Sequence, residues 1–170
     1  VGSVIENFGA GSSKDMDWWQ EFRLSDRLEI ACVPAQHFSG RGTFDRDATL
    51  WCGYVLKTKS GNIYFAGDSG YGDFFKEIGN RYPGISASLI PIGAYVPAWF
   101  MSPIHISPEE AVKVHQDVGS QISIGMHFGT FPLADDGQQQ PIDDLTTAIK
   151  DYKLNPEKFI VLKEGESITL

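Results

Sequence analysis

Cysteine, basic charge and long apolar runs are all scarce in this 170-residue chain. Its two cysteines, Cys32 and Cys52, cannot build a disulfide framework, and their positions in apolar runs favour buried thiols over a bridge or a metal pair. Lys and Arg number 14 against 22 Asp and Glu, and the net charge of −8 argues against a nucleic-acid partner. No apolar run approaches the roughly 18–20 residues that span a bilayer, and no segment resembles a signal peptide. We therefore expect a cytoplasmic protein without a transmembrane segment, with peripheral membrane association as an alternative.

What the chain does contain is typical of one globular domain. Hydrophobic residues make up 42% of the sequence and charged residues 21%, proportions that allow a packed core. The sequence shows no repeats, low-complexity tracts or linkers, so we interpret residues 1–170 as a single unit with a loosely patterned lead-in over 1–27. It begins at Val1 without an initiator Met, and we expect a fragment of a longer protein.

Short apolar runs alternate with amphipathic segments after this lead-in. Strands are predicted at 28–34, 49–57, 62–67, 87–92, 121–126, 159–163 and 167–170. Helices are predicted at 71–82, from Ser107 to about Val118, and along a face that carries Ile142, Leu145, Ala148, Ile149 and Tyr152. The turn at 58–61 joins two strands as a hairpin, which excludes an all-parallel sheet. The predicted fold is an α/β unit with a mixed or mainly antiparallel sheet and three helices on one face.

Three polar residues follow predicted strands, the places where ligands and catalytic groups collect in open α/β sheets. His37 comes after the first strand, Asp68 after the hairpin and His127 directly after the fifth strand. Two imidazoles and a carboxylate could converge there on zinc, with ligand bonds of about 2.0–2.2 Å. Two alternatives stay open. A histidine at a strand end is often a structural hydrogen bonder, and the Gly67-Asp68-Ser69-Gly70 segment could be an Asx turn.

The other two histidines differ in what their surroundings indicate. His105 lies in the loop before the capped helix, and its position suits a plain loop residue as well as an acid–base group near the metal site. His115 shares a helix face with Ala111 and Val118, which favours a partly buried, non-catalytic role.

The loop over 93–104 is rich in aromatic residues and proline. Its residues Tyr95, Trp99 and Phe100 could simply pack against the core. Because the loop joins a strand to a helix, they could equally form an apolar wall for an acyl or other apolar substrate. These three are the candidate substrate-binding residues.

Several motifs follow one another in a specific order along residues 29–167. They are Pro34-Ala35-Gln36-His37-Phe38-Ser39-Gly40-Arg41, Phe65-Ala66-Gly67-Asp68-Ser69-Gly70-Tyr71, Ile90-Pro91-Ile92-Gly93-Ala94-Tyr95, Trp99-Phe100-Met101, His105 with Pro108-Glu109-Glu110-Ala111, His127-Phe128-Gly129-Thr130-Phe131 and the tail at 159–167. In this order they resemble the C-terminal half of the metallo-β-lactamase-fold hydrolases. Within that superfamily they resemble the branch of phospholipases D that hydrolyse N-acyl-phosphatidylethanolamine.

The resemblance implies a binuclear zinc site. His37 matches a ligand of the first metal, Asp68 the bridging carboxylate and His127 a ligand of the second. Two metals about 3.5–4 Å apart would share a hydroxide that attacks phosphorus or a carbonyl carbon. His105 matches a histidine near the site that could orient the scissile group or protonate the leaving group. Asp68 and His105 are therefore the candidate catalytic residues of a zinc-dependent phosphodiesterase that acts on an N-acyl phospholipid or a similar phosphodiester.

The same resemblance implies that part of the enzyme is missing. The family's His-x-His-x-Asp-His signature supplies the other four ligands, and the four histidines of this chain are not arranged in that way. We expect half of an αββα sandwich that holds no zinc ion or one, instead of two, and that is inactive alone. Its expected partners are the missing N-terminal half, a small-molecule or lipid substrate, and a second copy that covers the bare sheet face in a homodimer. The alternatives are an inert self-associating half-domain, or a lactonase or amide hydrolase of the same fold.

Overall fold

The computed structural model describes residues 2–9 and 11–169. Within these ranges, seven strands form one sheet whose spatial order follows the order along the chain. The strands are β1 (Glu21–Ser25), β2 (Leu28–Pro34), β3 (Cys52–Thr58), β4 (Gly61–Phe65), β5 (Ile85–Pro91), β6 (Ile122–Met126) and β7 (Phe159–Ile160). The pairs from β1 to β4 are antiparallel and those from β4 to β7 are parallel. The sheet is therefore mixed, as the hairpin predicted.

Helices precede the sheet and connect its parallel strands. They are α1 (Gly2–Asn7), α2 (Phe74–Arg81), α3 (Ala98–Met101), α4 (Pro108–Asp117) and α5 (Gln140–Asp151), with a short 3-10 helix at Pro156–Lys158. Helix α4 begins at a capping box, in which the Ser107 hydroxyl accepts from Glu110 N and the Glu110 carboxylate accepts from Ser107 N. In the part of the chain that is described, no helix is long and apolar enough to cross a membrane.

Helices α2, α4 and α5 pack on one face of the sheet, which we call the helical face. Phe75 of α2, Val112 of α4 and Leu145 of α5 belong to a single buried core. The strand residues Val55 and Tyr64, which pair across β3 and β4, belong to the same core. Burying one continuous apolar cluster between sheet and helices is the main favourable term for such a layer. The structure confirms the predicted one-sided arrangement.

The opposite face, which we call the outer face, carries two apolar rows. One row consists of successive cross-strand partners from β2 to β7, namely Cys32, Tyr54, Phe65, Leu89, Ile124 and Ile160. The other runs from β1 to β6 through Phe22, Ile30, Leu56, Ile63, Ala87 and Ile122. Tyr54 and Phe65 are each 39% exposed. The outer face is therefore apolar across the sheet and only partly covered.

Three strands differ from the sequence-based expectations. Strand β1 lies in the lead-in, where no strand was predicted, although its residues Glu21-Phe22-Arg23-Leu24-Ser25 alternate between polar and apolar. All five of them are exposed. The strand predicted at 159–163 ends at Ile160. No strand forms over 167–169, where the prediction was wrong. The chain reaches these residues through a turn in which Lys163 N donates to the Glu166 carboxylate. Leu170 lies outside the described residues.

The two cysteines are free thiols, as predicted. Cys32 is buried and Cys52 is half-buried. They occupy diagonal positions on β2 and β3, because Cys32 pairs with Tyr54 and Cys52 pairs with Pro34.

Candidate functional site

The predicted metal ligands lie at one edge of the sheet. Strands β2 and β4 run in the same direction because each is antiparallel to β3, and β5 and β6 run parallel to β4. The carboxyl ends of these four strands therefore meet at a common edge. His37 lies shortly after β2, Asp68 shortly after β4 and His127 directly after β6.

The His37 ring is held by a hydrogen bond and by stacking. Its Nδ1 donates to the carbonyl oxygen of Phe38 at 2.7 Å, so Nε2 is the unprotonated nitrogen of the neutral ring. The ring packs against Phe38 and Trp51 with centroid separations of 4.5 and 4.6 Å. A histidine whose Nδ1–H is bound to a carbonyl oxygen presents Nε2 in the form that binds metal ions.

Asp68 and His127 approach each other from the ends of β4 and β6. Asp68 Oδ1 lies 3.6 Å from His127 Nε2. Two ligands of one tetrahedral zinc ion, each bonded at about 2.1 Å, are roughly 3.4 Å apart, so this spacing fits two donors to one cation. His127 has a φ of 58°, a left-handed conformation that turns the chain sharply as β6 ends.

His105 contacts both predicted histidine ligands. Its ring stacks on His127 at a centroid distance of 5.3 Å and meets His37 edge-on at 5.1 Å. Burial, followed by electrostatic repulsion from the neighbouring His127 and His37 rings, lowers the pKa of His105 to about 4, against the opposing effect of the Asp68 and Asp136 carboxylates. His105 is therefore a neutral imidazole near neutral pH.

The candidate ligands meet pairwise rather than as a complete metal-binding set. Within the described ranges, no three His, Cys, Asp or Glu side chains are placed so that they could hold a metal ion together. His37 contacts His105, His105 contacts His127, and His127 approaches Asp68. The donor types and the spacing of Asp68 and His127 fit zinc, whereas the convergence of all three predicted ligands on one point stays a prediction.

Asp136 is a residue of the site region that sequence reasoning missed. Its Oδ2 accepts a hydrogen bond from Ala94 N at 3.0 Å, and its Oδ1 is buried without a partner among the described residues. The Nδ1 atoms of His105 and His127 are likewise buried and unpartnered in this part of the chain. His127 and Asp136 line one cavity of about 210 Å³. Unpaired polar atoms at one place are uncommon in a folded core and are characteristic of functional sites.

The three aromatic candidates occupy different environments. Tyr95 is buried, and its hydroxyl donates to the carboxylate of Asp144 on α5. This hydrogen bond links the loop over 93–104, which we call the aromatic loop, to helix α5. Tyr95 does not line the His127 cavity. Trp99 and Phe100 contact each other and are 82% and 61% exposed, as a wall open to an apolar ligand would be.

Unlike Tyr95, the apolar side chains of Phe131 and Leu133 line the His127 cavity. Phe131 and Leu133 are 72% and 65% exposed at its rim. Asp135 N donates to the Val96 carbonyl oxygen at 3.0 Å and so joins this loop to the aromatic loop. The Phe131-Pro132-Leu133 run close behind His127 was the sequence signal that could have identified these residues.

Comparison with known proteins relates the chain to one superfamily. Residues 4–128 match the family model described as the beta-lactamase superfamily domain. N-acyl-phosphatidylethanolamine-hydrolyzing phospholipase D 1 of Caenorhabditis elegans is 40% identical over 129 residues, which are 74% of this chain and 36% of that protein. The mitochondrial N-acyl-phosphatidylethanolamine-hydrolyzing phospholipase D of Saccharomyces cerevisiae is 34% identical over 150 residues, which are 84% of this chain and 32% of that protein. The chain thus spans about a third of the length of these two curated relatives.

Solved structures show the same fold. An isothiocyanate hydrolase from Delia radicum gut bacteria aligns with a TM-score of 0.75 at 17% identity, over 99% of this chain and 63% of that one. A metallo hydrolase from Ignicoccus hospitalis aligns with a TM-score of 0.70 at 20% identity, over 98% of this chain and 64% of that one. Because the family model covers well over half of the residues, the chain belongs to the beta-lactamase superfamily.

Proposed function

We propose that the protein containing this chain is a zinc-dependent hydrolase of the phospholipase D type, acting on an N-acyl phospholipid or a similar phosphodiester. The observation that carries the proposal is the approach of Asp68 Oδ1 to His127 Nε2, beside two more histidines at one sheet edge. The relatives named as N-acyl-phosphatidylethanolamine-hydrolyzing phospholipases D support this class of substrate.

Each polar residue has a role that its environment suits. His37 would bind zinc through Nε2, and His127 through the Nε2 that faces Asp68. Bound zinc supplies Lewis-acid stabilisation of oxyanion charge and activates water. Because the His105 ring touches both ligand histidines and is neutral near neutral pH, its N–H would donate a hydrogen bond to the scissile group. The proton that the leaving oxygen requires would come from the water that is consumed.

The apolar rim suits a substrate with a long hydrocarbon chain. Trp99 and Phe100 lie on the aromatic loop, and Phe131 and Leu133 lie on the loop that is hydrogen-bonded to it. An acyl chain that covers these side chains removes apolar surface from water on both partners, at about 25 cal/mol per Å². The phosphodiester would then lie toward the histidines, in the adjoining cavity.

The outer face supplies the proposed protein partner. An apolar sheet face of this kind is buried in sandwich folds against a second sheet about 10 Å away. We propose that the preceding half of the protein packs on this face, consistent with a chain that spans about a third of the curated relatives. In the isolated chain, a second copy would cover the same rows in a homodimer.

The test uses the full-length protein, with its zinc content measured. We expect bound zinc and release of N-acylethanolamine from N-acyl-phosphatidylethanolamine. Asp68→Asn and His127→Asn should each remove turnover and lower the zinc content, whereas Asp26→Asn, at a side chain that is 95% exposed, should change neither. A full-length protein that binds no zinc and cleaves no phosphodiester would contradict the proposal.

One observation favours the competing function, an inert self-associating half-domain. The described residues contain no complete group of metal-binding side chains. This function predicts that the full-length protein lacks zinc and that all substrate classes fail. Lactone and amide substrates, tested beside the phosphodiester, separate a change of substrate from a loss of catalysis, because the superfamily's fold by itself does not determine the substrate.

A further inference from the structure

Trp51 contacts two of the segments that carry proposed metal ligands. Its indole lies 4.6 Å from the His37 ring, centroid to centroid, at an interplanar angle of 32°. Its Nε1 is buried and lies 3.8 Å from the position that a Cβ on Gly67 would take, next to Asp68. One rigid side chain therefore lies against both the His37 loop and the Gly67-Asp68 turn.

The backbone around Trp51 makes this double contact possible. A Cβ at Gly67 would lie 3.0 Å from the Cys52 carbonyl oxygen, and Gly67 has a φ of 70°, so glycine is required for this close approach. The Trp51 backbone is held in turn, because its carbonyl oxygen accepts a hydrogen bond from Trp18 Nε1 at 2.9 Å. The position of the indole is thus restricted by the hydrogen bond that its own carbonyl oxygen accepts and by the Gly67 turn beside it.

We propose that Trp51 is a positioning residue of the site, which fixes the ring of His37 relative to Asp68. The proposal rests on the proposed function in that it takes His37 and Asp68 to be metal ligands. The hydrogen bond from Nδ1 to the Phe38 carbonyl oxygen selects the tautomer of His37, and the Trp51 ring limits rotation of the imidazole plane. Without that contact, Nε2 would sample several directions and would bind metal less tightly, as is found when partners that orient a ligand are removed.

Two substitutions separate the contact from the indole N–H. Trp51→Phe keeps an aromatic ring against His37 and removes Nε1, whereas Trp51→Leu removes the ring. In the full-length protein, competition with a chelator should show zinc affinity about 10–100-fold weaker for Trp51→Leu and within about threefold of wild type for Trp51→Phe. Phe44→Leu, which removes a fully exposed aromatic ring, is the control and should leave zinc affinity unchanged. Equal losses for the two Trp51 variants, or none for Trp51→Leu, would overturn the proposal.

A double-mutant comparison tests whether Trp51 acts through His37. In a His37→Asn background, adding Trp51→Leu should cause no further loss of zinc affinity, because the ring that Trp51 positions is absent. An additive loss would mean that Trp51 only supports the fold, and the midpoint of urea unfolding measured on each variant reports such a structural effect directly. These two measurements keep the proposal testable if Trp51→Leu folds poorly.

Imidazole NMR gives a readout that needs no metal. Long-range ¹⁵N–¹H spectra of the metal-free protein should show a single Nδ1–H tautomer for His37 in wild type and in Trp51→Phe. They should show a mixture in Trp51→Leu, because a ring that is free to rotate loses its hydrogen bond to the Phe38 carbonyl oxygen. If the protein binds no zinc but the tautomers behave in this way, the proposed function fails and the role of Trp51 stands. If zinc is bound and the tautomer does not change in Trp51→Leu, the role of Trp51 fails alone.

Discussion

The two faces of the sheet carry different kinds of side chain. On the helical face, the buried row includes Ser88 and Ser123, which are cross-strand partners, and both hydroxyls are hydrogen-bonded. Ser88 Oγ donates to Ser120 Oγ at 2.9 Å, and Ser123 Oγ lies 2.8 Å from His115 Nδ1. Apart from the Tyr54 hydroxyl and the Cys32 thiol, the two rows of the outer face are hydrocarbon, and their large side chains are only partly covered.

This difference shows which face is complete. The Ser88 and Ser123 hydroxyls are tolerated under the helices because each finds a partner there, and burying them unpaired would cost about 1–3 kcal/mol apiece. The Tyr64 hydroxyl differs, since it is buried on this face without a partner among the described residues. An apolar face left in water loses about 25 cal/mol for every Å² that a partner could cover. The helical face is therefore covered within the chain, while the outer face has the composition of a surface that packs on another sheet.

The largest effect should come from matched phenylalanine truncations on the two faces. Phe75 of α2 is fully buried in the core, and Phe75→Ala should lower the free energy of unfolding by about 3–5 kcal/mol. Phe65 is 39% exposed on the outer face, and Phe65→Ala should cost less than about 1 kcal/mol in the isolated, dilute chain. Urea unfolding of both variants measures this, and equal losses would mean that the two faces do not differ in the way described.

Charging the outer face should weaken self-association. Phe65→Lys places an ammonium in the middle of an apolar row, so the homodimer proposed for the isolated chain should weaken at least tenfold, which is about 1.4 kcal/mol. Sedimentation equilibrium at micromolar concentration measures the effect. Phe44→Lys, at a side chain that is fully exposed elsewhere, is the control and should leave association unchanged. A wild-type chain found only at 18.8 kDa would rule out the dimer.

Removing the cap of α4 should have a smaller effect on the helical face. Ser107→Ala leaves the Glu110 N–H without its acceptor and should cost about 1 kcal/mol. Ser107→Asp restores a capping oxygen and should recover most of that loss. Thermal unfolding of the two variants decides between a cap and a general effect of replacing Ser107, because only the cap predicts recovery.

The smallest effect that we expect is a pH dependence carried by His115. Burial, followed by the charge of Lys158, lowers the pKa of His115 below its ordinary value of 6.5. Between the two pKa values, the unfolded chain binds a proton at His115 and the folded chain does not. The contribution of neutral His115 to stability is therefore present above about pH 6.5 and is lost as the pH falls from there through the folded-state pKa. His115→Gln should reduce the fall in unfolding free energy between pH 7 and 5. An unchanged pH slope would exclude His115 as its source.

Sequence patterns anticipated the elements whose signals are local. The Ser107-Pro108 start of α4 was predicted because its capping box lies within four residues, and the hairpin at 58–61 because turn chemistry determines antiparallel pairing. The positions of His37, Asp68 and His127 after strands also placed them at one sheet edge. Strand β1 was missed although its residues alternate between polar and apolar, because so short a segment is a weak signal by itself.

Only the tertiary structure decided the contacts between segments that are distant along the chain. No local pattern shows that His105 contacts both His37 and His127, that Asp136 holds Ala94 N, or that Trp51 lies against Gly67. These contacts depend on strand register and on close backbone approach, which arise from the packing of the whole sheet. The sequence by itself determined the types of donors, their order and the apolar runs that form the strands. Their mutual distances exist only once the core places the strand ends together, because each contact joins residues that are far apart along the chain.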